Sequence, residues 1–399
     1  MFDLIVSGGR VIDPGQHLDA VMDVGVTGAR IAAVGADLVR QGVRGEVVDA
    51  SGLLVTAGWV DMHTHVYRGV APLGVEADSN CLRRGVTTAV DAGSSGASTF
   101  PGFKRFVIDV SLTRVVAMLH LSAIGMARDD GFGAEAVGEL EDIRWANVNS
   151  AIAVARAYAD VITGIKIRIS EECVGRDADH TREVLRRARQ VADAIGKPVM
   201  VHSGQTAIPI DEILGFLVHG DVVTHVYHAR PEGVLNERGT VRASVRAAVE
   251  RGVNFDVGHG AGSFNWQIAR AGLEQGLLPS TISSDIHAWN IAGPVYDLAT
   301  TASKLLHLGL SLPEVVRRVT STPAACIGRA SELGTVTPGA AADLSLFRLV
   351  DGEFHFRDSA GAEELGATRL DPVAVIRNGR QYVSSRNDRQ DHVREAGRA

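Results

Sequence analysis

Between Gly58 and Gly328 the sequence repeats one unit, in which a short apolar run precedes a stretch with helical periodicity. The apolar runs predict strands at Gly58–His65, Thr87–Ala92, Arg114–Leu121, Val161–Ile169, Pro198–Ser203, Val222–Tyr227, Asn254–Gly258 and Thr281–Ile286. Repeated strand–helix units are typical of a parallel sheet covered by helices. Eight units in roughly 270 residues predict an α/β fold of the TIM type, a (β/α)8 barrel. The alternative is a doubly wound open sheet.

Short β-rich runs flank the barrel region on both sides. Residues before Leu53 are split by Gly, Pro and Asp into runs such as Asp3–Val6, Arg10–Ile12 and Val21–Thr27, and β character returns after Gly328 in Leu333–Val336 and Asp343–Leu349. Pairing across the termini would cover strand edges that each piece alone leaves exposed. We therefore expect one small β-sandwich domain from residues 1–57 and 329–385, a barrel from 58–328 and a polar tail over 386–399.

Composition excludes several classes of protein. The formal charge is −7, which argues against a nucleic-acid binder, since phosphate contacts need clustered Lys and Arg. No run reaches about 18 apolar residues, so no membrane span is expected. Three Cys in 399 residues cannot form a disulfide framework, and we expect a cytoplasmic protein. With 14 His against 3 Cys, nitrogen and oxygen side chains would have to hold any metal.

The first predicted strand ends in a His-x-His motif. Side chains two apart in a strand point the same way, so His63 and His65 present both imidazoles on one face. Barrel enzymes keep their active sites at the carboxyl ends of the strands, where this motif lies. Taken alone, the motif is equally compatible with two ordinary polar histidines.

Other ionisable residues occupy matching positions on later strands. Lys166 lies in an apolar strand, where a charged side chain is costly unless it is used or paired. His202, His225 and Asp285 each close a different predicted strand. Any one of them could be a buried structural residue, but their joint placement favours a single site.

This order of residues resembles the amidohydrolase superfamily of metal-dependent hydrolases, and the resemblance spans nearly the whole chain. It includes the split β domain and a closing segment, Gly334–Gly339 followed by Ala342-Asp343-Leu344. Three longer motifs are similar to a deacetylase or dihydroorotase-like branch whose members hydrolyse acyl groups, including acetyl esters of α-hydroxy acids. These motifs are Gly164–Arg168, Thr224–His228 and Phe255–Phe264.

The resemblance implies a binuclear metal centre. His63, His65 and Asp285 would hold one divalent ion, His202 and His225 the second, and a carbamate on Lys166 would bridge the two. Burial favours the neutral amine that reacts with carbon dioxide. Imidazole and oxygen ligands make zinc the first choice of metal. A metal-bridging hydroxide would attack the acyl carbon, with Asp285 as general base and then acid.

Two positions differ from the residues usual in other branches of the superfamily, and these differences argue against those branches. Mononuclear deaminases of the superfamily usually carry Glu three residues after the histidine of strand five, where this chain has Gln205. Dihydroorotases usually carry Arg two residues after the second histidine of the first strand, where this chain has Tyr67. A cyclic amidohydrolase of the dihydroorotase or hydantoinase type remains the alternative, and a non-catalytic scaffold relative is the third hypothesis.

Four residues near the expected mouth are candidates for substrate binding. Arg168 follows Lys166 by two positions and could clamp a substrate carboxylate, although a salt bridge to a nearby acid explains it equally well. His228, His259 and Tyr67 could contact substrate or serve as hydrogen-bonding structural residues. We expect a small-molecule substrate that bears a carboxylate, no nucleic-acid or membrane partner, and a homo-oligomer.

Overall fold

The computed structural model describes residues 1–127 and 137–385, so the predicted polar tail at 386–399 lies outside the described residues. The strands of this part of the chain are, in order, β1 (Phe2–Asp13), β2 (Leu18–Thr27), β3 (Arg30–Gly35), β4 (Val43–Asp49), β5 (Leu54–Ala57), β6 (Trp59–Thr64), β7 (Val86–Gly96), β8 (Arg114–His120), β9 (Ile162–Arg168), β10 (Val199–His202), β11 (Val222–Thr224), β12 (Asn254–Asp256), β13 (Leu344–Arg357), β14 (Glu363–Arg377) and β15 (Arg380–Val383).

Helices follow most barrel strands. They are α1 (Ala77–Asn80), α2 (Phe100–Phe103), α3 (Val148–Ala157), α4 (Glu171–Val174), α5 (Ala178–Ile195), α6 (Ile210–Gly215), α7 (Ala243–Glu250), α8 (Trp266–Glu274), α9 (Leu298–His307), α10 (Leu312–Val319) and α11 (Ser321–Cys326). Local signals set their ends, as in α5. Asp177 accepts from the backbone of His180 at its start, and Gly196 adopts a left-handed conformation at its end.

Strands β6 to β12 form a parallel sheet in sequence order, which confirms the predicted TIM-type barrel class. The eighth predicted strand is only partly regular. Residues 281–286 close the ring through single bridges, Thr281 to Asp256 and Ile286 to Thr64. The backbone of His65 also donates to the carbonyl of Ile286 at 3.0 Å. The closing segment thus brings Asp285 beside the end of β6.

The two ends of the chain form one mixed sheet of eight strands, in the order β15-β14-β13-β5-β1-β2-β3, with β4 paired to β1. Strand β5 is central to it, because it pairs with β1 on one side and with β13 on the other. Two expectations need correction. Asp3–Val6 and Arg10–Ile12 belong to one strand with a register shift, and Leu333–Val336 forms a bend followed by irregular structure.

Candidate metal centre

The proposed site lies where the barrel strands end. His63 is the last residue but one of β6, Lys166 lies near the end of β9, and His202 is the last residue of β10. His225 directly follows β11, and Asp285 lies in the closing segment. All of these side chains are buried or nearly so. Five separate segments therefore deliver their side chains to one end of the barrel, as the sequence predicts.

Two histidines converge on one carboxylate oxygen. Nε2 of His63 lies 3.3 Å from Oδ1 of Asp285, and Nε2 of His65 lies 3.2 Å from the same atom. One ligand atom from each of these three residues lies within 4.8 Å of the others. Burial lowers the pKa of His65 to about 3 and that of His63 well below its usual value, so both rings are neutral.

A hydrogen-bond chain fixes the proton of His63. Thr224 donates its hydroxyl proton to Asp256 at 2.8 Å, so its oxygen accepts from Nδ1 of His63 at 2.9 Å. The proton of the ring is therefore on Nδ1, and the lone pair of Nε2 faces Asp285. Two lone pairs that face each other at 3.3 Å repel, and a cation bound by both atoms would remove this repulsion.

His65 has a similar outer partner. Its Nδ1 lies 3.0 Å from Oγ of Ser94, whose backbone amide donates to Asp91 at 2.7 Å. Asp91 also accepts from the backbone of Val66 at 2.9 Å, and it is fully buried. These contacts orient the second imidazole of the His-x-His motif toward Asp285.

A second pair of histidines lies beside the first cluster. Nε2 of His225 lies 2.7 Å from Nδ1 of His202, and the ring of His225 is 5.0 Å from that of His63. The carbonyl of Gly258 accepts from Nδ1 of His225 at 2.6 Å, so Nε2 of His225 carries the lone pair. Nε2 of His202 is buried and has no hydrogen-bond partner among the described residues.

Lys166 lies between these groups and is fully buried. Its Nζ is 3.3 Å from Nε2 of His63 and 3.4 Å from the sulfur of Met200. Burial lowers the pKa of Lys166, because the interior disfavours its charged form. Gly93 provides room for this side chain, since a Cβ there would lie 2.6 Å from Cγ of Lys166.

Unusual backbone geometry supports the proposed ligands. His225 and Asp285 have φ values of 70° and 50°, a region that non-glycine residues rarely adopt. Gly258 and Gly260, in the loop after β12, also have positive φ. A Cβ at Gly260 would lie 2.4 Å from Oδ2 of Asp285, so glycine permits this close approach.

The donor set fits two divalent cations. Oδ1 of Asp285 and Nε2 of His202 are buried and lack hydrogen-bond partners within residues 1–127 and 137–385. Neutral imidazoles, a carboxylate and a buried amine are ligands or ligand precursors for such ions. Burial raises the pKa of Asp285, and a nearby cation would favour its ionised form.

A cavity of about 240 Å³ opens over these residues. Its floor contains His63, His65, Lys166, His202 and Asp285. The remaining lining residues are Leu73, Met126, Arg168, Glu172, Arg230, Ala261, Gly262, Ser263, His287 and Trp289. This volume suits a small molecule, and the charged lining suits a polar one.

Residues 54–381 match the amidohydrolase family. The chain belongs to the amidohydrolase family. Curated relatives named deacetylase match at 30–35% identity, among them one of Brucella anthropi that is 35% identical over 87% of this chain and 84% of its own length.

Two solved structures have a similar fold to this chain, and they are described as two different enzymes. A structure described as an adenine deaminase has a TM-score of 0.87 at 29% identity, covering 96% of this chain and all of that one. A structure described as a dihydroorotase has a TM-score of 0.86 at 30% identity, covering 97% and 100%. Amidohydrolases generally bind divalent metals, consistent with the cluster of His63, His65 and Asp285.

Arg168 of this amidohydrolase lies in a salt bridge. Its Nη1 is 3.1 Å from Oε1 of Glu139, a fully buried acid that also lies 3.6 Å from Nε2 of His120. The structure thus shows a salt bridge to a nearby acid, which was one of the two interpretations of Arg168 from the sequence. Its side chain also lines the cavity, and its contact with substrate stays a prediction.

The other three predicted substrate-binding residues of the amidohydrolase lie off the described lining of this cavity. His228 lines a neighbouring cavity and accepts from the backbone of Arg230 at 3.1 Å. His259 accepts from Nζ of Lys304 at 2.7 Å, and Tyr67 donates to the carbonyl of Thr99 at 3.2 Å. Each therefore has a structural hydrogen bond, which was the second interpretation of these positions.

Sequence reasoning missed several residues around the centre of this amidohydrolase. Asp256 accepts from three hydroxyl groups and supports His63 through Thr224, and its position within the apolar run of β12 was a usable signal. Glu139 carried no such signal. His287 and Trp289 also line the cavity, and Cys173 is buried in α4. No helix in the described ranges is both long and apolar enough to cross a membrane.

Proposed function

We propose that this amidohydrolase is a binuclear metal-dependent hydrolase that cleaves an acyl amide or ester bond of a small, carboxylate-bearing substrate. The observation that carries the proposal is the convergence of His63, His65 and Asp285 beside Lys166, on the floor of an open cavity. The deacetylase names of relatives at 30–35% identity support an acyl bond as the target.

His63, His65 and Asp285 would hold one ion, and His202 and His225 the other, with Lys166 between them as its carbamate. Zinc is the first choice because four imidazoles and hard oxygens make up the donor set. When bound, two such ions polarise a carbonyl and make water more acidic.

Asp285 is the proposed proton carrier. Its carboxylate lines the cavity, so an oxygen of Asp285 can accept a proton from the attacking water. It would then deliver this proton to the leaving amine or alcohol. The neighbouring carbonyl of Asp285 accepts from Asn290 at 2.7 Å, which holds the backbone in place during the transfer.

A cyclic amide is the second candidate substrate, favoured by the structure described as a dihydroorotase. A screen with metal-loaded protein separates the two. It would contain O-acetyl α-hydroxy acids of both hands, N-acetyl amino acids, dihydroorotate and hydantoins. We expect cleavage of the acyl compounds and a loss on the order of 10²–10⁴-fold in Asp285→Asn. Cleavage of the cyclic amides alone would favour the second candidate, and no cleavage at all would reject both.

Asp351→Asn is a matched control, because Asp351 is an exposed acid on β13. It should leave the rate unchanged. A cytoplasmic location, a homo-oligomeric state and the absence of nucleic-acid and membrane partners also remain proposals. The free thiols of Cys81 and Cys326 are consistent with a reducing compartment.

A further inference from the structure

Two guanidinium groups line the cavity above the proposed metal centre, those of Arg168 and Arg230. We infer that Arg230, rather than Arg168, binds the carboxylate of the substrate and determines specificity for anionic substrates. The inference rests on the proposed function, which supplies an acyl substrate with a carboxylate. The choice between the two arginines depends on the acidic partner that each guanidinium would have to release in order to bind substrate.

Arg168 is paired with a partner that cannot easily leave. Glu139 is fully buried, and its Oε1 lies 3.1 Å from Nη1 of Arg168, whose side chain is only 12% exposed. A substrate carboxylate that displaced Glu139 would take the guanidinium away from a buried carboxylate, which is strongly unfavourable. Sharing the guanidinium would instead place two carboxylates side by side in a buried site.

Arg230 has a partner that can move into water. Its Nη1 lies 3.7 Å from Oε1 of Glu172, and the two side chains are 40% and 48% exposed. Ion pairs this open contribute little to stability, because water solvates both charges when they separate. A substrate carboxylate can therefore replace Glu172 at little cost, and Glu172 itself also lines the cavity.

Two glycines form a seat for the guanidinium of Arg230. A Cβ at Gly204 would lie 3.2 Å from Nη1, and one at Gly262 would lie 3.1 Å from Nη2. Both contacts would be tighter than ordinary van der Waals distance, so the absence of side chains allows the group to lie here. Gly262 also lines the cavity, next to Ser263. A planar guanidinium held this way can bind a carboxylate with two parallel hydrogen bonds.

The test compares an anionic and a neutral acyl substrate, O-acetyl-lactate and O-acetyl-lactamide. In Arg230→Met, the ratio of kcat/KM for the anion over the amide should fall about 10–100-fold, the range for hydrogen bonds to charged groups. In Arg168→Met the ratio should change little, because the loss of the guanidinium beside Glu139 affects both substrates alike. Arg176→Met is the control, since Arg176 is an exposed residue paired with Glu171. A fall in the ratio in Arg168→Met but not in Arg230→Met would overturn the inference.

Calorimetric titration with both enantiomers of lactate gives a readout that does not depend on catalysis. The metal-loaded wild type should bind at least one enantiomer, and Arg230→Met should bind it about 10–100-fold more weakly. If no acyl substrate is cleaved but this loss of binding occurs, the proposed function fails and the inference stands. Equal lactate affinity in wild type and Arg230→Met, or no lactate binding by the wild type, would overturn the inference.

Discussion

At the scale of single residues, the chemistry of the proposed centre depends on Lys166. A fully buried lysine beside neutral histidines is unfavourable as an ammonium, and burial lowers its pKa. If the amine carried a carbamate, two bound cations would offset the cost of burying its negative charge. The sequence predicted this position, because a lysine within an apolar strand is unusual.

The first prediction concerns the pH at which this carbamate forms. Neutral amine is the reactive form, so a lowered pKa extends carbamate formation to lower pH. At pH 8 and fixed dissolved carbon dioxide, a lysine with the ordinary pKa of about 10.4 is less than 1% neutral. We expect metal-loaded protein to show near-stoichiometric carbamate by ¹³C NMR at pH 8, with less as the pH falls. The signal should be absent in Lys166→Met. A carbamate that appears only above about pH 9 would contradict the argument.

Residue identities at strand ends could be predicted, but their partners could not. His63 was found from spacing, whereas the chain from His63 through Thr224 to Asp256 joins three strands that are far apart in sequence. The same limit applies to Arg168, whose partner Glu139 lies in an irregular segment without a recognisable pattern. Such contacts depend on how side chains from distant segments pack together, and the hydrophobic periodicity of the sequence contains no information about this packing.

At the scale of elements, the loop after β12 sets the positions of two proposed ligands. Gly258 accepts from His225, and Gly260 lies against Asp285. Lys304 of α9 braces the same loop through three acceptors, His259 at 2.7 Å and the carbonyls of Pro294 and Arg357 at 2.9 and 2.7 Å. The need for glycine here was predictable from the sequence, but the brace from a distant helix was not.

The second prediction separates backbone strain from steric contact in this loop. Gly260→Ala adds a Cβ that would lie 2.4 Å from Oδ2 of Asp285, so the carboxylate must move. We expect metal affinity, measured by competition with a chelator, to fall about 10–100-fold. Gly276→Ala is the control, because Gly276 also has positive φ but has nothing within 4 Å of a new Cβ. It should cost only about 1–2 kcal/mol of stability. Equal metal affinities in the two variants would contradict the steric account.

At the scale of the whole molecule, Asp343 joins the barrel to the terminal sheet. Its carboxylate lies 2.9 Å from Nη2 of Arg114 on β8 and 3.4 Å from Nη1 of Arg377 on β14. It also accepts from the backbone of Asn378 at 2.8 Å, and its carbonyl accepts from Gly58 at the start of the barrel. The Ala-Asp-Leu segment that resembled the family pattern therefore has a structural role.

The third prediction follows from the burial of these charges. Asp343→Asn leaves Arg114 and Arg377 mostly buried without a carboxylate between them. The free energy of unfolding, measured with urea on metal-loaded protein, should fall by about 3 kcal/mol. Metal content of the folded protein should not change, since Asp343 touches none of the proposed ligands. Asp351→Asn, an exposed position on the following strand β13, should be neutral. A loss below about 0.5 kcal/mol in Asp343→Asn would refute the bridging role.

The barrel class and the joining of both termini were predictable, because periodicity and strand edges depend on local sequence. The order of strands in the terminal sheet was not, since β5 pairs with β1 and with β13, which lies nearly 300 residues away. Closure of the barrel by the single bridges of Thr281 and Ile286 also depends on neighbours that are distant in sequence.

The central claim is that these side chains form a binuclear centre, and metal analysis of protein never exposed to a chelator tests it most directly. We predict about two divalent ions per chain in the wild type, with zinc as the leading candidate. Lys166→Met and His225→Asn should each retain fewer than two. A wild-type protein that holds two ions would match the account. One that holds a single ion, or none, would contradict it.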